Sequence, residues 1–227
     1  MAELTPRHIR TYVRREGRMT KAQQHALVQL SGRYAISAEG VLDLDAVFER
    51  SAPRGLEIGF GMGDALIAMA HAQPQWDFLG IEVHRPGVGS LLRKLDNAGI
   101  GNVRVICGDA VEVLQRHIGD ACLDTIHLLF PDPWPKSRHH KRRIVQPNFA
   151  VLVRRRLKIG GRLHLATDWE DYAHHMMQVM TEAPGFNNAA GAGQFLARPP
   201  DRPVTKFEQR GRRLGHAVWD LAFVRQA

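Results

Sequence analysis

Cysteine is close to absent from this chain: Cys107 and Cys122 are the only two in 227 residues. Each lies in an apolar stretch, and they lack the paired spacing of zinc ligands, so a disulfide framework and a cysteine metal site are both excluded. The expectation is two buried thiols in a reducing compartment, the cytoplasm. Hydrophobic runs of membrane-spanning length are missing, and the first residues lack the apolar core of an export signal, so no membrane association is expected. The 12 histidines show no metal-ligand spacing, and no metal is expected. There is no internal repeat and no long low-complexity tract. Acidic residues are outnumbered: 23 Asp+Glu against 31 Lys+Arg leave a formal charge of +8. That balance points to nucleic acid, an anionic membrane surface or an acidic substrate as partner, and the missing spans weaken the second.

What is present is an α/β chain organised around one stretch. The apolar run Leu123 to Phe130 reads as a buried strand and leads into Pro131-Asp132-Pro133-Trp134-Pro135-Lys136. Three prolines in five positions fix φ and remove backbone donors, so neither strand nor helix continues. A stiff loop remains, carrying a carboxylate, an indole and an ammonium at a strand's C-terminal end, where open α/β sheets bind their ligands. Arg138, His139, His140, Lys141, Arg142 and Arg143 follow at once. Either they set a polyanion against that edge, or they form a solvated face behind a simple turn.

The rest of the chain alternates. Residues 1 to about 50 form a polar, basic extension with Arg7, Arg10, Arg14, Arg15, Arg18 and Lys21, read either as a solvated tail or as an arm along phosphates. Thr20 caps a short helix through Leu27 and Leu30. Strands are expected at Gly55 to Phe60, Phe78 to Val83, Val103 to Cys107, Leu123 to Phe130 and Arg162 to Thr167. Helices lie between them, one opened by Pro86 and one carrying Phe149, Leu152, Val153 and Leu157 up to Gly160-Gly161. Arg154-Arg155-Arg156 read as that helix's solvated face. Thr181 to Pro203 has no clear period, and Ala217 to Val224 returns to strand-like apolarity. Strands alternating with helices at this spacing mean a parallel, doubly wound sheet.

Gly59-Phe60-Gly61-Met62-Gly63 sits between a strand and a helix, where glycines let backbone approach a ligand closely. A dinucleotide loop wants glycine or alanine next, and Asp64 stands there, so a nicotinamide enzyme is disfavoured. The loop fits S-adenosylmethionine better, whose sulfonium and ammonium suit nearby carboxylates. Glu57, Glu82, Asp109 and Asp132 each lie at or near the end of a successive strand, hence at one edge of a parallel sheet. Glu82 is placed for ribose hydroxyls and Asp109 for an adenine amino group.

At these residues the sequence resembles the bacterial tRNA (guanine-N7)-methyltransferases of the TrmB type. The resemblance rests on Leu56 to Gly63, Gly80 to Gly89, Phe130 to Lys136 and Thr205 to Gly211, with Arg14 to Gln24 and Leu214 to Asp220 in support. It implies a class I methyltransferase (Rossmann-like) fold, a seven-stranded, mostly parallel sheet flanked by helices whose last strands run antiparallel. It further implies methyl transfer from S-adenosylmethionine to N7 of guanine 46 in the tRNA variable loop. Carried over by position, Glu57, Gly59, Gly61, Gly63, Glu82, Asp109 and Asp132 become cofactor contacts, with Asp132 also the catalytic residue. Lys136, Asp168, Thr205, Lys206, Phe207 and Glu208 become substrate contacts, and Arg138 to Arg143 the RNA-contacting segment. The expected division is an extension over 1–50 and a methyltransferase domain over 51–227, with monomer and homodimer both open.

Several roles stay open at this level. Trp134 either stacks on the base or plugs the core, and Asp168 and Glu208 either share the guanine edge or order the Thr205 loop. Rival functions are another S-adenosylmethionine-dependent RNA methyltransferase, acting on an exocyclic amino group, and a non-catalytic RNA-binding module. Four carboxylates facing a polyanion argue against the module.

Overall fold

The computed structural model describes residues 11–12, 18–200, 202–213, 215 and 217–227, without the side chains of Lys206, Phe207 and Arg212. Arg7, Arg10, Arg14, Arg15 and Leu214, named above, lie outside the described residues, as does His216.

Seven strands form one sheet: β1 (Arg54–Ile58), β2 (Asp77–Glu82), β3 (Val103–Cys107), β4 (Leu123–Leu129), β5 (Leu157–Thr167), β6 (Phe186–Asn188) and β7 (Trp219–Arg225). Their order is β3-β2-β1-β4-β5-β7-β6. The first five are parallel, and β7 runs antiparallel to both neighbours, β5 and β6. Every residue of β2 is buried, as expected of a parallel strand covered on both faces. One face packs under α5 (Ala110–Arg116), α6 (Pro147–Arg156) and α7 (Glu170–Glu182), where Met176, Met177 and Met180 fill the core. The other carries α1 (Lys21–Tyr34), α3 (Asp64–Ala72) and α4 (Arg85–Ala98). Two short helices, α2 (Leu44–Phe48) and α8 (Lys206–Arg213), complete the set among the described residues. The order reverses between β1 and β4, so a crevice opens above their C-terminal ends.

Several elements depart from the sequence reading. Thr20 does cap a helix: its hydroxyl accepts from the Gln23 amide, and the Gln23 side chain returns to the Thr20 amide at 2.9 Å. That helix runs on to Tyr34, which is fully buried, and Ile36 N–H then donates to Val105 O at 2.8 Å. From Lys21 onward, then, the chain is packed structure and not a tail. Leu157 is not helical. It opens β5 opposite Leu123, because α6 stops at Arg156, whose guanidinium is held by Asp120 and by Leu114 O at 2.6 Å. Arg156 is therefore buried at 5% exposure and is not part of a solvated face. Gly160 (φ 79°) and Gly161 lie in a bulge of β5 before Arg162 resumes pairing with Thr125. Cys107 is exposed and Cys122 half-buried, so burial of both thiols does not hold. The stretch read as irregular, Thr181 to Pro203, contains edge strand β6.

Candidate active site

The turn after β1 is set by conformation. Gly59, Gly61 and Gly63 have φ of 71°, 56° and 80°, in the left-handed region that side chains disfavour. Gly63 is the N-cap of α3, and Asp64 in the first turn pairs with Lys94 of α4. Lys94 Nζ also donates to Met62 O at 2.8 Å. Below the turn, Gly87 of α4 comes so close that an added Cβ would lie 2.1 Å from Gly61 O. Glu82 ties the loop to β2: Oε2 accepts from Gly61 N at 2.8 Å, and Oε1 from Val83 N and His84 N at 2.7 and 2.9 Å.

Beside this loop lies a cavity of about 440 Å³ at the switch point. Its floor and walls come from Glu57 to Met62, Ile81 to His84, Gly108, Ala110, and Leu128 to Asp132. Glu57 is 3% exposed, and its Oε2 finds no hydrogen-bond partner. Burial, then the neighbouring Glu82 and Asp64 charges, push its carboxyl up to about 8. An orphaned buried carboxyl at the wall of a cavity is an acceptor awaiting a cationic or hydrogen-donating ligand. Asp109 caps α5 with Oδ1, accepting from Val111 N at 2.8 Å, while its neighbours Gly108 and Ala110 line the cavity. Among the described residues no group of His, Cys, Asp or Glu is disposed to hold a metal, and no helix is long and apolar enough to cross a membrane.

The proline loop closes one side. Phe130 (φ 53°) and Trp134 (φ 48°) are both left-handed, a conformation that persists only where surroundings enforce it. Between them, Asp132 is exposed at the cavity mouth. The Trp134 ring is half-buried within the loop. Arg142 lies over it at 4.9 Å, His139 meets it edge-on at 5.9 Å, and its Nε1 donates to Thr11 O at 3.3 Å. Thr11 and Tyr12 thereby reach the cavity, a contact between segments far apart in sequence.

The basic run folds as a 3-10 turn, Ser137–Arg142, with Lys136 ahead of it. Lys136, Arg138 and Lys141 are exposed, and His139, His140 and Arg142 half-buried. Arg143 is the exception and corrects the expectation for this segment. At 1% exposure it donates to Pro133 O at 3.0 Å, pairs with Asp171 and lies 4.8 Å from the Tyr172 ring centre. It braces the proline loop from within and is not presented to RNA. Its hydrogen bond holds the Asp171 carboxyl below the usual carboxylate range.

Opposite, Thr205 is 8% exposed and lines the cavity, its Oγ1 accepting from Glu208 N at 3.1 Å at the start of α8. Glu208 is fully buried and bonded to Arg202, a residue absent from the sequence reading. Asp168 is half-buried against α8, where a Cβ on Gly211 would come 3.0 Å from its Oδ2. His84 and Ile144 also line the cavity. His84 follows the end of β2 within the stretch Gly80 to Gly89, whereas Ile144 carries no sequence signal and reaches the cavity through tertiary packing.

Solved structures place this architecture. The 16S rRNA methyltransferase KamB superposes with a TM-score of 0.60 at 14% identity, covering 86% of this chain and 99% of that one. A SAM-dependent methyltransferase from Aquifex aeolicus gives 0.54 at 14%, covering 82% and 90%. The strand order and the glycine-lined cleft at the switch point define a protein with the class I S-adenosylmethionine-dependent methyltransferase fold.

Closer relatives narrow this. A family model described as "Putative methyltransferase" matches residues 51–221. The tRNA (guanine-N(7)-)-methyltransferase of Pseudomonas aeruginosa (strain UCBPP-PA14) is 58% identical over 220 residues, 96% of this chain and 90% of that protein. That of Stutzerimonas stutzeri (strain A1501) is 59% identical, with coverages of 96% and 92%. The chain belongs to the tRNA (guanine-N(7)-)-methyltransferase family.

Proposed function

We propose that this chain transfers a methyl group from S-adenosylmethionine to N7 of guanine 46 in the variable loop of tRNA. The observation that carries the reading is the pairing of Glu57, an orphaned buried carboxyl at the cavity wall, with Asp132 at its mouth. When bound, the cofactor supplies an electrophilic methyl on a cationic sulfur. Glu57, Glu82, Asp109, Asp132 and the loop Gly59 to Gly63 are the groups disposed to hold it. Glu57 suits its positive charge, and the glycines leave room for the rest.

Guanine N7 carries an in-plane lone pair and no proton, so the attacking atom needs no general base. Asp132 instead accepts from the guanine N1–H and amino group, and balances the positive charge that grows on the purine. Lys136, Asp168 and the segment Thr205, Lys206, Phe207 and Glu208 form the rest of the substrate side. Exposed Lys136, Arg138 and Lys141 with half-buried Arg142 lie against phosphates. An A-form helix hides N7 in its deep groove, which favours a loop base as target. tRNA as substrate puts the enzyme in the cytoplasm. The family match over residues 51–221 supports a methyltransferase domain over 51–227, with α1 of the 1–50 extension packed against α4 of that domain.

The test is transfer of labelled methyl to unmodified tRNA transcripts, mapped by borohydride and aniline cleavage at 7-methylguanosine. A single cut in the variable loop is expected. Label on an exocyclic amino group, or none with tRNA still bound, overturns the assignment.

A further inference from the structure

We infer that Arg202 is a positioning residue for methyl transfer, locking the Thr205 segment to the strand end that presents Asp132; this rests on the function proposed above. Arg202 is 1% exposed and sits where three elements meet. Toward α8, one terminal nitrogen donates to Glu208 Oε2 at 2.6 Å. Toward β7, the other donates to Asp220 Oδ2 at 3.0 Å, and Nε lies 2.6 Å from Oδ1. Toward β4, the guanidinium lies 5.8 Å from the ring centre of Phe130, the left-handed residue two before Asp132.

The partners are themselves fixed. Asp220 is 2% exposed and lies 3.0 Å from His164 Nε2 on β5, while Glu208 N–H binds the Thr205 hydroxyl. Arg198 donates to Arg202 O at 2.6 Å, closing the segment on itself. Desolvating ions this completely costs much of what their attraction returns, so a well-packed apolar cluster serves stability as well. What such a cluster lacks is a planar fork with fixed directions. Arg202 supplies those directions at the point where the two halves of the substrate side, Thr205 and Asp132, must hold one guanine between them.

The experiment compares wild type with Arg202→Met, which keeps an unbranched apolar stem and loses the fork, and Arg202→Lys, which keeps the charge. Cofactor Kd, melting temperature, and kcat and KM on tRNA are measured for each. The expected result is folded variants with cofactor Kd near wild type, kcat lowered about 10- to 100-fold in Arg202→Met, and partial recovery in Arg202→Lys. A kcat at the wild-type level in both variants overturns the inference. So does parallel loss of fold, cofactor binding and kcat in both, which marks Arg202 as a stability residue only. The proposed function fails separately, on an inactive wild type, and then the inference falls with it.

Discussion

Gly61 N–H donates to Glu82 Oε2 at 2.8 Å, joining the bend after the first strand to the end of the second. The same carboxylate receives two amides from its own strand end. Glu82 therefore shapes the glycine loop before any ligand arrives. Replacing it with alanine removes charge-assisted bonds, and cofactor affinity should fall at least about tenfold. Calorimetric titration checks this, and an unchanged Kd would show that the loop holds its shape alone.

Glu57 gives a pH signature. Its carboxyl is raised to about 8 by burial, then by Glu82 and Asp64. The folded protein thus keeps a proton that the unfolded chain gives up at ordinary acidic pH. The stability linked to Glu57 is full below the unfolded value and is lost as pH rises through about 8. Wild type should therefore lose melting temperature between about pH 5 and 9 relative to Glu57→Gln, whose curve is flatter. Cofactor binding near neutrality should release protons, seen as a buffer-dependent binding enthalpy, and Glu57→Gln should abolish that dependence.

Gly87→Ala should act against helix propensity. Alanine favours a helix over glycine by roughly 0.5–1 kcal/mol, but here its methyl would lie 2.1 Å from the Gly61 carbonyl. Backbone cannot swing aside as a side chain can, so the loop must move. Cofactor Kd should rise about tenfold or more, for a misplacement on the order of 1 Å. Affinity equal to wild type would mean that α4 shifts as a body.

Asp132→Asn retains shape and loses charge. We expect kcat to fall roughly 100-fold with cofactor Kd within about threefold. Single-turnover kinetics with saturating cofactor separates the two. Near wild-type kcat would remove Asp132 from charge stabilisation.

The basic turn should divide by burial. Alanine at Lys136, Arg138 or Lys141 should each make the slope of log affinity for tRNA against log salt shallower, by roughly 0.7–0.9 for every phosphate no longer neutralised. Arg143→Ala should leave the slope alone and cost about 1–3 kcal/mol in stability through its missing hydrogen bonds. A slope change in Arg143→Ala would return that residue to the RNA face.

The strands and the cleft were legible because their signals are local. The apolar run from Leu123, the glycines at 59, 61 and 63, and the prolines at 131, 133 and 135 each constrain the backbone where they stand. Position along the chain also sufficed to put Glu57, Glu82 and Asp132 at one opening, since parallel strands share an end. The buried cations were not legible. Arg143, Arg156 and Arg202 look like any other surface arginine in sequence, and their partners Asp171, Asp120, Glu208 and Asp220 are brought to them by the fold. Leu157 misled because its spacing continues the apolar face of α6, while β-pairing with Leu123 claims it. The reach of α1 was hidden because it is polar on most of its surface and gains its place from α4.

The insertion of β7 between β5 and β6 bears on biosynthesis. Of all the described elements β7 is the last to be made, yet it pairs six residues of β5, from Arg162↔Val224 to Thr167↔Trp219, and carries Asp220. Until it emerges from the ribosome, β5 presents an unpaired edge over Arg162 to Thr167, a template for pairing with other chains. A chain that ends before Trp219 therefore leaves that edge unpaired and is prone to aggregate.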